Sequence, residues 1–316
     1  MLPGVTWSLL ALPPVPRELV EALFGDLGAT LLTPEERTQE AVEALLPEAD
    51  LVVADWSPVL RVGDPGPRVC FVQQPSVGYD GVDVDACAAR GVPVANTAGA
   101  NTTSVAEWCV SAVLALLRKT VEADAAVRAG GWPQTSLGAG ELAGKRVGVV
   151  GMGPVGRAAS RLFAAFGCDV AYWSRRRHDD APVPYEDLDA LLTTRDVVVV
   201  VIALGPETRG LVDATRLKPG ALLVNGARGL VVDEASLLAA THLGGVALDV
   251  FAVEPLPADS PLRDRPGTLL SPHMAGSTGD AAGRILAATS ANLRRALAGE
   301  PVVDVVNGVD PLVVRR

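Results

Sequence analysis

Three polar side chains with complementary chemistry follow strand-like segments in the second half of the sequence. They are Arg228, Glu254 and His273. The ligand crevice of an open α/β sheet lies beyond the carboxyl ends of its strands, so we expect these distant side chains to converge there. An imidazole can transfer a proton near neutral pH, a nearby carboxylate favours its charged form, and a guanidinium binds a carboxylate through a forked contact. These residue types suit proton transfer beside a bound anion.

The strongest local motif is G-x-G-x-x-G at Gly151, Gly153 and Gly156. It follows a strand predicted at 146–150 and precedes a helix predicted at 154–166. Gly151 allows the tight turn, Gly153 lets a pyrophosphate approach the backbone, and Gly156 lets the helix pack closely on the strand. Free N–H groups at the helix N-terminus attract the anion. The motif in this context predicts a dinucleotide-binding site.

The next predicted strand ends without the acidic residue that commonly binds the ribose 2′-hydroxyl of NAD. The segment 170–174 ends in Ser174, and arginines follow at 175–177. A hydroxyl and a guanidinium suit a 2′-phosphate, which a carboxylate would repel. We therefore expect NADP(H) as cofactor, with Ser174 and Arg175 as ligands, while NAD(H) remains an alternative.

Together with the segments 69–83 and 299–301, these motifs resemble the D-2-hydroxyacid dehydrogenase family, which includes glyoxylate/hydroxypyruvate reductases, phosphoglycerate dehydrogenases and D-lactate dehydrogenases. The resemblance covers essentially the whole chain. It implies hydride transfer between NAD(P)H and a small 2-keto acid or D-2-hydroxy acid. By this resemblance His273 is the proton donor and acceptor, Glu254 is its partner, and Arg228 binds the substrate carboxylate and polarises its carbonyl. Hydride addition at C2 develops negative charge on oxygen, which a protonated imidazole can neutralise.

The resemblance also implies a set of binding residues. Backbone N–H groups in the loop of Ser76, Val77 and Gly78 bind the substrate carboxylate. Pro154 and Val155 lie where N–H groups meet the pyrophosphate, but only Val155 can donate, because proline lacks an N–H. The other implied cofactor contacts are Val105, Thr208, Ala227 and Asp249, the last near the nicotinamide carboxamide.

Other functions remain open beside this one. Phosphite dehydrogenases of the same superfamily carry a lysine where this chain has Val77, and formate dehydrogenases pair the histidine with a glutamine where it has Glu254. A non-enzymatic, corepressor-like dinucleotide sensor is the alternative from another class, although no extended polar arm or basic patch favours it. The loop on the adenosine side departs from the family at Ala203 and Gly205, where proline and threonine are common.

The elements that must position these residues alternate along the chain. Strand and helix signals follow one another in the first hundred residues and again from Lys145 onward, which is typical of parallel α/β sheets. We expect two doubly wound parallel-sheet domains with a cleft between them. The resemblance implies a flavodoxin-like substrate domain at 1–97 and 285–316, and a Rossmann nucleotide-binding domain at 98–284.

A helix predicted at 103–119 is apolar on nearly all sides. Val105 and Cys109 lie on one side, and Ala106 and Val110 lie on the opposite side. Such a helix is buried on both sides, one facing its own domain and the other a second domain or subunit. The family resemblance implies a homodimer through this helix.

Charge and composition argue against several classes of function. Lys+Arg 27 and Asp+Glu 37 give a formal net charge of −10, and the pI is near 4.9, which disfavours a nucleic-acid partner. The longest aliphatic run, 197–204, is too short to span a membrane, and no signal-peptide pattern is present. The four cysteines are scattered without a C-x-x-C pair, so we expect no metal site and the reduced thiols of a cytoplasmic protein.

Overall fold

The computed structural model describes residues 6–57 and 59–316, which form two compact units. Unit 1 consists of the chain up to Asn101 together with Gly279–Arg316, and unit 2 consists of Thr102–Thr278. Each unit contains a parallel sheet with a buried hydrophobic cluster on either face. The predicted α/β class with two doubly wound sheets is confirmed, while the division into substrate and nucleotide domains stays a prediction.

The strands, in chain order, are β1 (Ser8–Ala11), β2 (Thr30–Leu32), β3 (Leu51–Val53), β4 (Phe71–Gln73), β5 (Val94–Ala95), β6 (Arg146–Val150), β7 (Asp169–Trp173), β8 (Val197–Val200), β9 (Leu222–Asn225), β10 (Gly245–Leu248) and β11 (Thr268–Leu270). The helices are α1 (Arg17–Phe24), α2 (Gln39–Leu45), α3 (Val84–Ala89), α4 (Thr102–Arg118), α5 (Thr120–Arg128), α6 (Pro154–Ala165), α7 (Leu188–Thr194), α8 (Glu234–Ala239) and α9 (Gly279–Ala298).

The sheet of unit 1 has the order β2-β1-β3-β4-β5, and every neighbouring pair is parallel. This is the flavodoxin-like order, as expected. Side chains alternate between the two faces as strand geometry requires: Leu10 packs in one buried cluster, whereas Leu9 and Ala11 pack in the other. Helix α9 covers the second face with Leu293 and Ala296.

The sheet of unit 2 has the order β11-β10-β9-β8-β6-β7, and it is also parallel throughout. Beyond β7, a single parallel bridge joins Tyr172 to Tyr185, so a further strand is reduced to one residue pair. Pro182 and Pro184 lie three residues and one residue before Tyr185. Proline has no N–H and cannot donate a hydrogen bond between strands. With the bridge counted as the third strand, the order is that of a Rossmann sheet extended by one strand.

Helix α4 packs against α6, β9 and β10 within unit 2. Its buried residues include Ala106 and Val110 as well as Cys109 and Val113, so burial extends around more than one side. The helix starts and ends one residue earlier than predicted.

Across the described ranges, no helix combines the length and the apolar character needed to cross a membrane.

Candidate active site

Arg228 lies in the turn that follows β9 in unit 2. The buried Asn225 side chain builds this turn, because its Nδ2 donates to the Arg228 carbonyl at 3.1 Å and its Oδ1 accepts from the Ala227 N–H at 3.1 Å. The Arg228 Nη1 also donates to the Ala227 carbonyl at 2.8 Å. These bonds place the guanidinium at the carboxyl end of β9, where the sequence predicts it.

Gly229 brings this turn against the segment that follows β10. A Cβ atom at Gly229 would lie 1.9 Å from the carbonyl carbon of Phe251 and 2.3 Å from the Ala252 nitrogen, so no other residue fits without moving the backbone. The close approach joins the Arg228 turn to the segment that carries Glu254. Sequence reasoning missed Gly229 and Asn225, although a glycine directly after a functional residue is a recognisable signal of close packing.

His273 and Glu254 form a direct pair. The Nδ1 of His273 lies 2.7 Å from Oε2 of Glu254, and the Phe251 N–H donates to the other carboxylate oxygen at 2.9 Å. Burial raises the pKa of the Glu254 carboxyl, but the hydrogen bonds from His273 and Phe251, with the charge of Arg228, outweigh burial and lower this pKa below its ordinary value. An ionised carboxylate only accepts, so Nδ1 carries the proton of the pair and Nε2 is left for a ligand.

Asp249, directly after β10, holds the loop that carries His273. Its Oδ1 accepts from the Ser271 hydroxyl at 2.6 Å and the Met274 N–H at 2.8 Å, and its Oδ2 accepts from the Ala275 N–H at 2.8 Å. The His273 N–H donates to the Asp249 carbonyl at 2.7 Å. His273 has a left-handed φ of 52°, which a non-glycine residue keeps only when its surroundings require it. The buried carboxylate therefore sets the position of the imidazole.

Replacement of Asp249 by Asn is expected to lower kcat/KM by about 10²-fold, because an amide NH₂ would face a backbone N–H and displace the His273 loop. Steady-state kinetics with a 2-keto acid, the substrate class that the family resemblance implies, measure this effect. Asp213→Asn is the matched control, since Asp213 also accepts from a backbone N–H, that of Thr215 at 2.9 Å, but in a turn remote in sequence from the His273 loop. Equal kinetics in the two variants would contradict the role given to Asp249.

The glycine-rich turn after β6 has the geometry of a phosphate cradle. Gly151 has a φ of 112°, and a Cβ there would lie 2.8 Å from the Ile202 nitrogen, while a Cβ at Gly156 would lie 2.0 Å from the Gly151 carbonyl oxygen. A Cβ at Gly153 would meet nothing within 4 Å, so the backbone is open on that side. Helix α6 begins at Pro154 directly after the turn. This open face at a helix N-terminus fits the pyrophosphate of a dinucleotide.

The turn after β7 carries the residues expected to meet a 2′-phosphate. Ser174 is 7% exposed, and its hydroxyl donates to the Arg176 carbonyl, so it is engaged within the turn. Arg175 is half exposed and lies 3.8 Å from the exposed carboxylate of Glu207. Arg177 instead stacks on Tyr185, with 5.8 Å between the guanidinium carbon and the ring centroid.

The other expected cofactor residues differ in how their side chains are used. Thr208 is fully buried, and its hydroxyl accepts from the Gly205 N–H and donates to the Ala203 carbonyl, both at 2.8 Å. Its side chain therefore shapes the 203–208 loop. Val105 and Ala227 are each 7% exposed and pack in the hydrophobic clusters of unit 2.

The expected substrate loop, residues 76–78, lies in unit 1, directly beyond β4. The structure thus brings Arg228, Glu254 and His273 together in unit 2 and places the substrate loop in the other unit.

Within the described ranges, no group of three or more His, Cys, Asp or Glu side chains is arranged to hold a metal ion.

The chain is similar to proteins of one known family. Residues 110–275 match the profile described as "D-isomer specific 2-hydroxyacid dehydrogenase, NAD binding domain". A D-3-phosphoglycerate dehydrogenase of Mycobacterium leprae is 39% identical over 285 residues, which are 86% of this chain and 54% of that protein. This chain therefore spans about half the length of that relative.

Two further similar proteins are glyoxylate reductases. The enzyme of Thermofilum pendens is 36% identical over 262 residues, covering 78% of this chain and 77% of the relative. The crystal structure of a glyoxylate reductase from Paecilomyes thermophila superposes with a TM-score of 0.86 at 25% identity, covering 96% of this chain and 99% of that one.

Proposed function

Because the chain belongs to the D-isomer specific 2-hydroxyacid dehydrogenase family, we propose that it reduces a small 2-keto acid to the D-2-hydroxy acid with NADPH. The observation that carries the proposal is the 2.7 Å pair of His273 and Glu254, in the same unit as the glycine cradle and next to the Arg228 turn. We infer that unit 2 binds the dinucleotide and unit 1 supplies the substrate loop.

Arg228, His273 and Glu254 have separate roles in the proposed reaction. When bound, a nicotinamide cofactor would supply the hydride that adds to C2 of the keto acid. Arg228 orients the substrate carboxylate with its forked donors and stays charged throughout. As C2 gains the hydride, the carbonyl electron pair moves onto oxygen, which takes a proton from Nε2 of His273. Glu254 holds Nδ1 and stabilises the imidazolium before the transfer.

The backbone of the cradle is proposed to hold the cofactor. The open backbone at Gly153 and the N–H of Val155 at the start of α6 would hold the pyrophosphate, whereas Pro154 has no N–H to donate. Asp249 fixes the position of the His273 loop, and this role is additional to the expected contact with the nicotinamide carboxamide. These roles come from the fit of the cradle and from the hydrogen bonds of Asp249.

A panel of substrates tests the proposed reaction. Glyoxylate, hydroxypyruvate, pyruvate and phenylpyruvate are supplied with NADPH, and absorbance of the reduced cofactor is followed. At least one of them is expected to be turned over, with phosphite and formate oxidation absent. Turnover of phosphite or formate alone would instead favour the alternative dehydrogenases, and cofactor binding without turnover would favour a dinucleotide sensor.

The cofactor preference is expected to favour NADPH, because Arg175 is half exposed at the end of β7 and can pair with a 2′-phosphate. Replacement of Arg175 by Ala should lower the ratio of kcat/KM for NADPH over NADH about tenfold. Arg177→Ala is the matched control, since Arg177 stacks on Tyr185. A wild-type enzyme that prefers NADH would overturn this assignment.

We also propose a cytoplasmic homodimer that contacts through α4. The family resemblance supports this assembly. Eight of the 17 residues of α4 are buried within the described chain, and the exposed side chains available for the contact include Glu107, Ser111 and Arg118. The free state of the four cysteines is compatible with a reducing compartment.

A further inference from the structure

All three carbonyl groups of the substrate loop accept hydrogen bonds from within unit 1. The Thr97 N–H donates to the Ser76 carbonyl at 3.1 Å, and Nδ2 of Asn96 donates to the Val77 carbonyl at 2.8 Å. The Ser76 hydroxyl donates to the Gly78 carbonyl at 2.6 Å. The carbonyl groups therefore accept from donors in the loop itself and in the two residues directly after β5.

This arrangement decides where the amide groups of the loop point. In a trans peptide the N–H is directed opposite to the preceding carbonyl. The N–H groups of Val77, Gly78 and Tyr79 consequently point away from the donors that hold the carbonyls, and none has an acceptor among the described residues. Successive N–H groups on one side of a loop form a concave site for an anion.

Two buried amide side chains maintain the arrangement. Asn96 and Gln74 are 7% and 2% exposed, and among the residues that the structure describes, no hydrogen-bond partner lies at the Asn96 Oδ1 or Gln74 Oε1 atom. Nε2 of Gln74 donates to the Ser76 hydroxyl at 2.7 Å, which directs the hydroxyl proton to the Gly78 carbonyl. Turning the Asn96 amide over would set its oxygen against the Val77 carbonyl, so its orientation is fixed.

Both amides use their N–H groups to hold the substrate loop itself, at the Val77 carbonyl and the Ser76 hydroxyl. We propose that Asn96 and Gln74 are positioning residues for the substrate carboxylate, which they serve by holding the carbonyls of the substrate loop away from the anion. The inference rests on the proposed function, because it takes residues 76–78 as the carboxylate-binding loop. It adds the side chains that aim the N–H groups of that loop.

Asn96→Ala tests the proposal with Asn307→Ala as a matched control. Asn307 is also an asparagine of unit 1, and its Nδ2 donates to a backbone carbonyl, that of Val92 at 2.8 Å. Asn96→Ala is expected to raise the KM for glyoxylate about tenfold with kcat and the KM for NADPH little changed, since carboxylate binding is shared by ground and transition states. Asn307→Ala should lower the melting temperature without changing the KM for glyoxylate.

Ser76→Ala and Ser76→Thr provide a second test should Asn96→Ala fail to fold. Removal of the hydroxyl should raise the KM for glyoxylate, and threonine, which keeps the hydroxyl, should restore it. Binding of oxamate, a planar analogue of a 2-keto acid, is measured by calorimetry on the same proteins. Weaker oxamate binding by Asn96→Ala and Ser76→Ala supports the inference even where turnover is not observed.

The outcomes separate this inference from the function on which it rests. Wild-type protein that reduces glyoxylate and binds oxamate, with unchanged KM and affinity in Asn96→Ala and Ser76→Ala, overturns the positioning role only. Wild-type protein that neither reduces any keto acid of the panel nor binds oxamate overturns both.

Discussion

Replacement of His273 by Ala is expected to lower kcat/KM for keto-acid reduction by about 10²–10⁴-fold, the usual contribution of a positioned general acid. The alkoxide that develops on the substrate oxygen would have no proton donor within reach. The loss should fall mainly on kcat, because the imidazole acts most strongly when charge is on the oxygen. Steady-state kinetics with saturating NADPH measure the effect.

His242→Ala is the control for this variant. His242 lies in unit 2 as well, and its Nε2 is 2.8 Å from the Leu217 carbonyl oxygen, in a turn on a different segment. Both variants should retain the circular dichroism of the wild-type fold, and His242→Ala should retain its rate. A His273→Ala protein that works at nearly the wild-type rate would exclude His273 as the proton donor.

Arg228→Ala is expected to lower kcat/KM by about 10²–10³-fold, as for the loss of a charged donor that stabilises a developing oxyanion. The KM for the keto acid should rise and kcat should fall, because the guanidinium binds the carboxylate and polarises the carbonyl. Arg228→Lys keeps the charge without the fork, so its activity should lie between those of the wild type and Arg228→Ala.

Arg216→Ala is the matched control for the Arg228 variants, since Arg216 pairs with the exposed Asp189 at 2.8 Å on the surface of unit 2. Its kinetics should equal those of the wild type. Equal activity of Arg228→Lys and wild type would show that charge alone suffices and would remove the forked contact from the mechanism.

Much of the fold could be predicted because strand and helix patterns here are strong. The four valines of β8 are fully buried, as expected for a strand inside a parallel sheet, and the predicted long helix differs from α4 by one residue at each end. Short elements such as β2 and β11 carry weaker patterns, since they have three residues each and half-exposed side chains. The single-residue bridge at Tyr185 was not predicted, because the prolines at 182 and 184 interrupt the alternation of side chains that indicates a strand.

The order of strand patterns and polar residues along the chain was enough to predict that a guanidinium, a carboxylate and an imidazole lie beyond the carboxyl ends of β9, β10 and β11. The hydrogen bonds that hold these groups in place could not be predicted in this way. The Asp249 carboxylate accepts hydrogen bonds from Ser271 and Met274, which lie 22 and 25 residues further along the chain. The Asn96 side chain donates to the Val77 carbonyl, 19 residues earlier in the chain. Such bonds depend on where packing places two distant segments, to within fractions of an ångström, which local patterns in the chain do not encode.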